Sequence, residues 1–277
     1  MLSLSLSSPV TTFIIFFIFC LHHTTSLPSH SSLSSCNNTT FNCGTITNLS
    51  YPFTGGNRPS YCGPPQFHLN CKNNVPELNI SSVSYRVLQV NLVTHSLTLA
   101  RLDLWNETCT HHYVNSTFDG TSFSYGSGNR NLTLFYECKP TSEFTKAPQN
   151  LFYCESNGYK NNSYTLIGPF PYDPVLRLAQ CDEGVGVPIL EEQATRFVEN
   201  RTLLREVLMK GFNVNYNNPF ENDCFECISS GGQQCGFDSD DNEPICICGN
   251  GLCPSGILAF LFGGLLCFVF DDEFYFM

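Results

Sequence analysis

Basic residues are scarce in this chain. Lys and Arg total 13 against 24 Asp and Glu, giving a formal net charge of −11 over 277 residues, and the bases are scattered. Nucleic acid is held by clustered cations, so this composition excludes it as a partner. Catalytic signatures are also missing. There is no Gly-x-Ser-x-Gly elbow and no zinc-protease helix motif, which removes two common hydrolase designs. His111-His112 lies in a polar stretch beside a glycosylation sequon and reads as solvated. Glu191-Glu192 falls early in a helical pattern, where acids complement the helix dipole without chemistry. No carboxylate pair stands out for glycoside hydrolysis, which depends on spatial separation. The expectation is a non-enzymatic chain without a cofactor or a metal. Long apolar runs are lacking as well, since a bilayer span needs about 20 residues.

Two shorter apolar runs mark the ends. Residues 13–21, FIIFFIFCL, precede His22-His23 and a small-residue pattern ending at Ser26, which predicts a secretory signal peptide over 1–26. Residues 257–270, ILAFLFGGLLCFVF, are fourteen apolar residues followed by DDEFYFM, with no Lys or Arg behind them. That is short for a span and lacks the basic flank of a cytoplasmic end. Weak membrane anchoring and a translated remnant both fit.

Cysteine is abundant. Apart from Cys20 and Cys267 in the end segments, fourteen remain: Cys36, Cys43, Cys62, Cys71, Cys109, Cys138, Cys154, Cys181, Cys224, Cys227, Cys235, Cys246, Cys248 and Cys253. An even set in an exported chain predicts a disulfide framework whose connectivity spacing does not reveal. Cys224-x-x-Cys227 with Cys246-x-Cys248 has zinc-type ligands, but an oxidising compartment favours disulfides there. Asp238 to Asn242 begins like a calcium loop, then carries Glu243 at the sixth position and Gly249 at the twelfth, so that pattern fails.

Asn-x-Ser/Thr occurs at Asn37, Asn38, Asn48, Asn79, Asn106, Asn115, Asn131, Asn161 and Asn200. Glycan acceptors must be reachable, so all are expected on the surface of an extracellular glycoprotein, secreted or held at the plasma membrane or cell wall.

Charge divides the chain. Residues 36–110 hold four bases and three acids, whereas 111–253 hold nine bases and eighteen acids. If an anionic polymer is met, the first region meets it. The predicted fold is mainly β with one substantial helix in the second of two small, cysteine-rich modules. The first module spans 36–110; its spine, Val83 to Trp105, alternates and turns at Thr94-His95-Ser96, predicting a hairpin. Residues 111–131 read as a linker or a long glycosylated loop. The second module spans 132–253, with strand candidates at 132–138, 151–154 and 163–170, and a helix over 189–209 stopped by Gly211. The crowded cysteines of 224–253 suggest that crosslinks, rather than a large core, supply rigidity.

The stretch Tyr51 to Cys71, YPFTGGNRPSYCGPPQFHLNC, is dense in rings and breakers. Two readings stand open: a rigid aromatic surface facing a sugar, or a stapled loop whose rings fill a small core. On the first reading Tyr51, Phe53, Tyr61 and Phe67 offer ring faces, while Arg58, Lys72, Arg86 and Arg101 pair with acidic sugars.

Those residues, followed by YRVLQVNLVTHSLTLARLDLWNETC, resemble the galacturonan-binding module of plant wall-associated receptor kinases. The second half is similar to the associated cysteine-rich module, through Val187-Pro188-Ile189, Gly211 to Val214, Cys224-Phe225-Glu226-Cys227, SSGGQQCG and Cys246-Ile247-Cys248. Together they resemble the ectodomain of leaf-rust-resistance-type receptor-like kinases over about residues 36–250. Residues 250–277 cannot hold a kinase. The resemblance implies binding of pectin or galacturonan without catalysis, with receptor kinases as possible protein partners. A decoy or co-receptor that contacts proteins instead of glycans is the alternative. The chain departs from the family pattern at Thr54, where an aromatic is usual, at Pro64 and at Tyr216.

Overall fold

The computed structural model describes residues 35–139, 150–156, 158–168, 181–249 and 251–253, plus the backbone of 260–262, 265–270 and 273–276. The expected signal peptide lies outside the described residues, as do Pro169 and Phe170. A short helix α1 (Ser35–Asn38) precedes a small hairpin, β1 (Phe41–Cys43) and β2 (Ile46–Leu49). Then come β3 (Asn70–Lys72), β4 (Val75–Ile80), β5 (Val83–Asn91), β6 (Ser96–Arg101) and β7 (Phe123–Tyr125). A second set follows: β8 (Asn129–Cys138), β9 (Leu151–Ser156), β10 (Tyr159–Gly168) and β11 (Cys181–Leu190), then helices α2 (Glu191–Glu199) and α3 (Leu204–Lys210). The chain continues through β12 (Phe212–Tyr216), α4 (Glu221–Ser229), β13 (Gln234–Asp238), β14 (Glu243–Cys248) and β15 (Gly251–Leu252). The mainly β, disulfide-rich expectation holds.

The predicted hairpin is β5 and β6, antiparallel from Tyr85↔Arg101 to Asn91↔Ser96. A bulge falls between Val87 and Gln89. Val83, Tyr85 and Val87 face the core; the extra residue then shifts the phase so that Val90 and Leu92 pack against the same core. Leu88 and Gln89 are left together on the outer face.

The modules interlock. The larger sheet runs β3-β4-β5-β6-β12-β7, so a strand from the second half lies between two strands from the first. Nor is 111–131 a linker or a free loop. Ser116 donates its backbone N–H to Gly186 O at 3.1 Å, Asn115 Oδ1 accepts from Gly186 N at 2.7 Å, and β7 and the start of β8 fall within it.

A second sheet, β11-β8-β10-β9, has β8 buried along most of its length. Helices α2 and α3 cover one side through Phe197, Leu204, Val207 and Leu208, while Phe135 and Tyr164 pack on the other. Burial on both faces explains the near-continuous apolar run of LTLFY. Strand β11 contains Gly184, Gly186 and Pro188, residues that locally disfavour a strand, yet all three lie in register with β8.

The helix expected over 189–209 is two helices. Ile189 and Leu190 end β11, and Asn200, at φ −140° and ψ 101°, interrupts the pattern before a single 3-10 turn over Arg201–Leu203. The Asn200 side chain accepts the Thr202 N–H at 3.1 Å, so the residue that breaks one helix caps the next turn.

All fourteen cysteines pair: Cys36–Cys62, Cys43–Cys71, Cys109–Cys154, Cys138–Cys181, Cys224–Cys235, Cys227–Cys246 and Cys248–Cys253. Crosslinks do not act alone, however. One core cluster joins eighteen buried residues from β1 to β12 and another joins twelve around β8, β11, α2 and α3. Each large apolar side chain buried this way contributes about 1.5–3 kcal/mol.

At the C-terminus, Phe260–Phe262, Leu265–Phe270 and Glu273–Phe276 form a three-stranded antiparallel backbone arrangement. No helix among the described residues is long and apolar enough to cross a membrane.

One sequon departs from the expected surface position. Asn131 is 4% exposed, and its amide donates to Thr133 Oγ1 at 3.1 Å inside β8. Asn38, Asn48, Asn79, Asn106 and Asn200 are exposed; Asn115 and Asn161 are half-buried. Glycopeptide mass spectrometry of the glycosylated protein is expected to find Asn131 bare and those five exposed sites occupied. Full occupancy at Asn131 would contradict this placement.

Candidate ligand-binding surface

The aromatic stretch does not face solvent. Phe53 and Phe67 are fully buried and meet edge-to-face, with ring centroids 5.7 Å apart, and both pack against Tyr216. Tyr51 is half-buried with its hydroxyl enclosed, and burial pushes its pKa up. Tyr61 is half-buried against Ile247 and the Cys36–Cys62 disulfide. These rings build core, so the second reading of the stretch is the one the fold adopts.

Its glycines serve the same end. Gly55 has φ +114°, and a Cβ there would lie 1.9 Å from Leu69 O. Thr54 and Leu69 pair across this close approach. Thr54 itself is buried, with Oγ1 3.1 Å from His68 Nδ1, so position 54 points inward rather than at a ligand.

Arg58 requires the largest correction. It is 1% exposed, and its guanidinium donates to four backbone carbonyls: Phe53 O at 3.0 Å, Cys36 O at 2.8 Å, Thr39 O at 2.7 Å and Cys62 O at 3.1 Å. Five fixed donors suit a knot of converging carbonyls. Burial draws its pKa below the ordinary arginine value, and the guanidinium has no accessible face to offer a sugar acid.

Arg101 is likewise internal, at 2% exposure. It forks onto Asp103, Nε to Oδ1 at 2.9 Å and Nη2 to Oδ2 at 2.8 Å, and donates to the carbonyls of His112 and Val114. Thr110 Oγ1 donates to the same carboxylate at 2.6 Å. Burial pushes the Asp103 pKa up, but hydrogen bonds from Arg101 and Thr110 and the Arg101 charge outweigh it, leaving the value below the usual carboxylate range.

Two nominated cations remain outside. Lys72 is exposed on β3, and Arg86 is half-buried on β5 with its guanidinium carbon 4.2 Å from the Trp105 ring centroid. Neither forms an ion pair among the described residues. Strand register places both on the outer face, opposite the core. Asn70 pairs with Glu77, Glu77 with Arg86 and Arg86 with Ala100. This face continues through Gln89 and Thr98 to Asn213 of β12. Four strand spacings separate β3 from β12, roughly 19 Å. Sequence reasoning missed Trp105, Gln89 and Asn213. The outward alternation of β5 pointed to Arg86, whereas the contribution of β12 had no local signal.

Along this face the floor dips into an open groove of about 610 Å³, with Leu88, Gln89, Thr98 and Asn213 below and the start of α2 and end of α3 beside it.

Two family profiles match. Residues 36–101 match "Wall-associated receptor kinase galacturonan-binding", and residues 153–251 match "Wall-associated receptor kinase C-terminal".

The chain carries both of these wall-associated receptor kinase domains.

Curated relatives of this ectodomain are receptor-like protein kinases of Arabidopsis thaliana. Leaf rust 10 disease-resistance locus receptor-like protein kinase-like 2.8 is 32% identical over 246 residues, 88% of this chain and 25% of the relative. The like 1.4 protein is 32% identical over 241 residues, 85% of this chain and 32% of its own length. The like 2.5 protein is 28% identical over 263 residues, 88% and 38% respectively. The chain therefore spans about a quarter to two-fifths of these relatives. No solved structure matches the ectodomain. The family implies an extracellular or cell-surface setting.

Proposed function

We propose that this ectodomain binds galacturonan-type pectin non-enzymatically, on the outer face of the six-stranded sheet. The observation that carries the reading is the division of the first module's cations. Arg58 and Arg101 are consumed inside the fold, whereas Lys72 and Arg86 stand on one open face without a carboxylate partner among the described residues. An acidic sugar polymer supplies those partners. The profile matched over 36–101 covers both residues. Exposed ion pairs contribute about 0–1 kcal/mol each, so a repeating ligand must engage several points together. The Trp105 ring holds the Arg86 guanidinium in place beneath such a ligand.

Titration of de-esterified oligogalacturonide onto the glycosylated protein tests this. The double variant Lys72→Glu/Arg86→Glu is expected to lose about tenfold or more in affinity, and wild-type binding is expected to weaken as salt rises. Affinity that ignores both changes would remove the charge-pairing mechanism.

A second reading has its own observation. Phe225 is 73% exposed and Ile228 48% exposed on α4, an apolar pair suited to a protein contact. A decoy or co-receptor that retains a receptor kinase ectodomain but ignores pectate would use that surface. Weak tethering of the chain through 257–270 is compatible with either reading.

A further inference from the structure

Two glycosylation sequons converge on Arg86. On β4, Pro76, Leu78 and Ile80 turn inward, so Glu77 and Asn79 stand on the outer face. Asn79 pairs with Ser84 and Glu77 with Arg86, which makes Asn79 and Arg86 diagonal neighbours on that face. Such neighbours lie about 7–8 Å apart. Asn79 is exposed, and Ser84 donates its hydroxyl to Asn79 Oδ1 at 2.7 Å. That bond fixes the side-chain amide by its oxygen; a glycan is attached at the other end, the nitrogen.

The second sequon arrives from the turn after β6. Trp105 N donates to Leu102 O at 3.1 Å, and the Trp105 ring lies 4.2 Å from the Arg86 guanidinium carbon. Asn106 is the next residue, exposed and at φ +61°. Two acceptors from separate segments therefore bracket one cation. N-linked glycans are bulky and hydrated, so a pair of them here fills the solvent above Arg86. Lys72 escapes this crowding. It pairs with Val75 at the start of β4, about 13 Å along the strand from Asn79. Asn48 is elsewhere again, on the β1–β2 hairpin, whose Phe41, Ile46 and Leu49 pack into the core on the opposite side of the sheet.

We propose that N-linked glycans at Asn79 and Asn106 gate the outer sheet face by shielding Arg86, so that their occupancy and size set how tightly an acidic polysaccharide is held. Resting on the pectin-binding reading above, this gives that face its regulation. The shielding is steric. On the fully glycosylated molecule an acidic chain is held by Lys72 and reaches Arg86 only by displacing the glycans. With Asn79 and Asn106 bare, both cations engage the same repeating ligand together.

The test removes these two glycans without touching either asparagine. Ser81→Gly ends the Asn79 sequon at a turn position with φ +55°, which glycine accepts. Thr108→Ala ends the Asn106 sequon and leaves the Thr108 carbonyl, the partner of Tyr136, in place. Glycopeptide mass spectrometry reads occupancy, and thermal unfolding confirms that each variant is folded. Titrated with de-esterified oligogalacturonide, the double variant is expected to bind about fivefold more tightly than wild type. Trimming the wild-type glycans with an endoglycosidase reaches the same state without a substitution and is expected to give the same gain. Ser50→Ala, which bares Asn48 on the opposite side, and Thr108→Ser, which keeps its sequon, are expected to stay within about twofold. Adding Arg86→Gln to the double variant is expected to abolish the gain, because the gate then guards no cation. Asn79 and Asn106 found bare in wild type, no tighter binding by the folded double variant, an equal gain from Ser50→Ala, or a gain that survives Arg86→Gln would overturn the gate. The pectin reading fails separately, when neither wild type nor the double variant binds the oligogalacturonide or Lys72→Glu/Arg86→Glu leaves affinity unchanged.

Discussion

Replacing Arg58 with Ala is expected to destabilise the ectodomain by about 4 kcal/mol or more. The substitution removes a donor from four carbonyls at once, on Cys36, Thr39, Phe53 and Cys62, and a buried acceptor that loses its donor costs about 1–3 kcal/mol. Water entering the vacated space recovers part of that, which holds the expected total below the simple sum. Arg58→Lys is expected to recover only a fraction, because one ammonium cannot fork across carbonyls on separate segments. Denaturant unfolding of the purified variants measures the effect. A loss under about 1 kcal/mol for Arg58→Ala would contradict the carbonyl knot. The same variant separates structure from recognition: a ligand contact would lower pectin affinity with stability intact, whereas the buried guanidinium lowers stability first.

Arg101 and Asp103 carry the second large effect. Arg101→Met is expected to cost about 3–5 kcal/mol, since it strands a partly enclosed carboxylate and releases the carbonyls of His112 and Val114. Acid should act on the same contact. Asp103 has a folded pKa below its unfolded value near 3.9. Its contribution is therefore complete above that unfolded value and is lost as pH falls through the lower, folded one. Wild-type stability should decline in this acidic window, and Asp103→Asn should be less stable at neutral pH with a flatter decline. Parallel stability–pH curves for the two proteins would show that Asp103 is not the titrating group.

Several features were readable from residue order, and the reasons others were not are physical. The β5–β6 hairpin announced itself because one face packs on a core and the alternation survives on either side of the bulge. The bulge was written in the spacing Val83, Tyr85, Val87, then Val90 and Leu92, one residue out of step. Arg101 also carried a usable signal, since positions two apart on extended chain share a face and Asp103 lies beside it. Arg58 carried none: a cation among glycines and prolines looks solvated until the carbonyls around it are located. Strand β11 was hidden by Gly184, Gly186 and Pro188, whose local preferences were overridden by pairing along β8. Helix α4 was hidden by cysteines and acids with no clear apolar period. The proposed binding face was only half legible, because β12 joins it from more than a hundred positions downstream.

That late-arriving strand has a consequence during synthesis. When β6 leaves the ribosome its outer edge has no neighbour, and the neighbour, β12, has yet to be translated. Until it arrives, an open edge of backbone donors and acceptors is available to any other nascent chain. Expressing residues 36–101 by themselves would leave that edge permanently sticky.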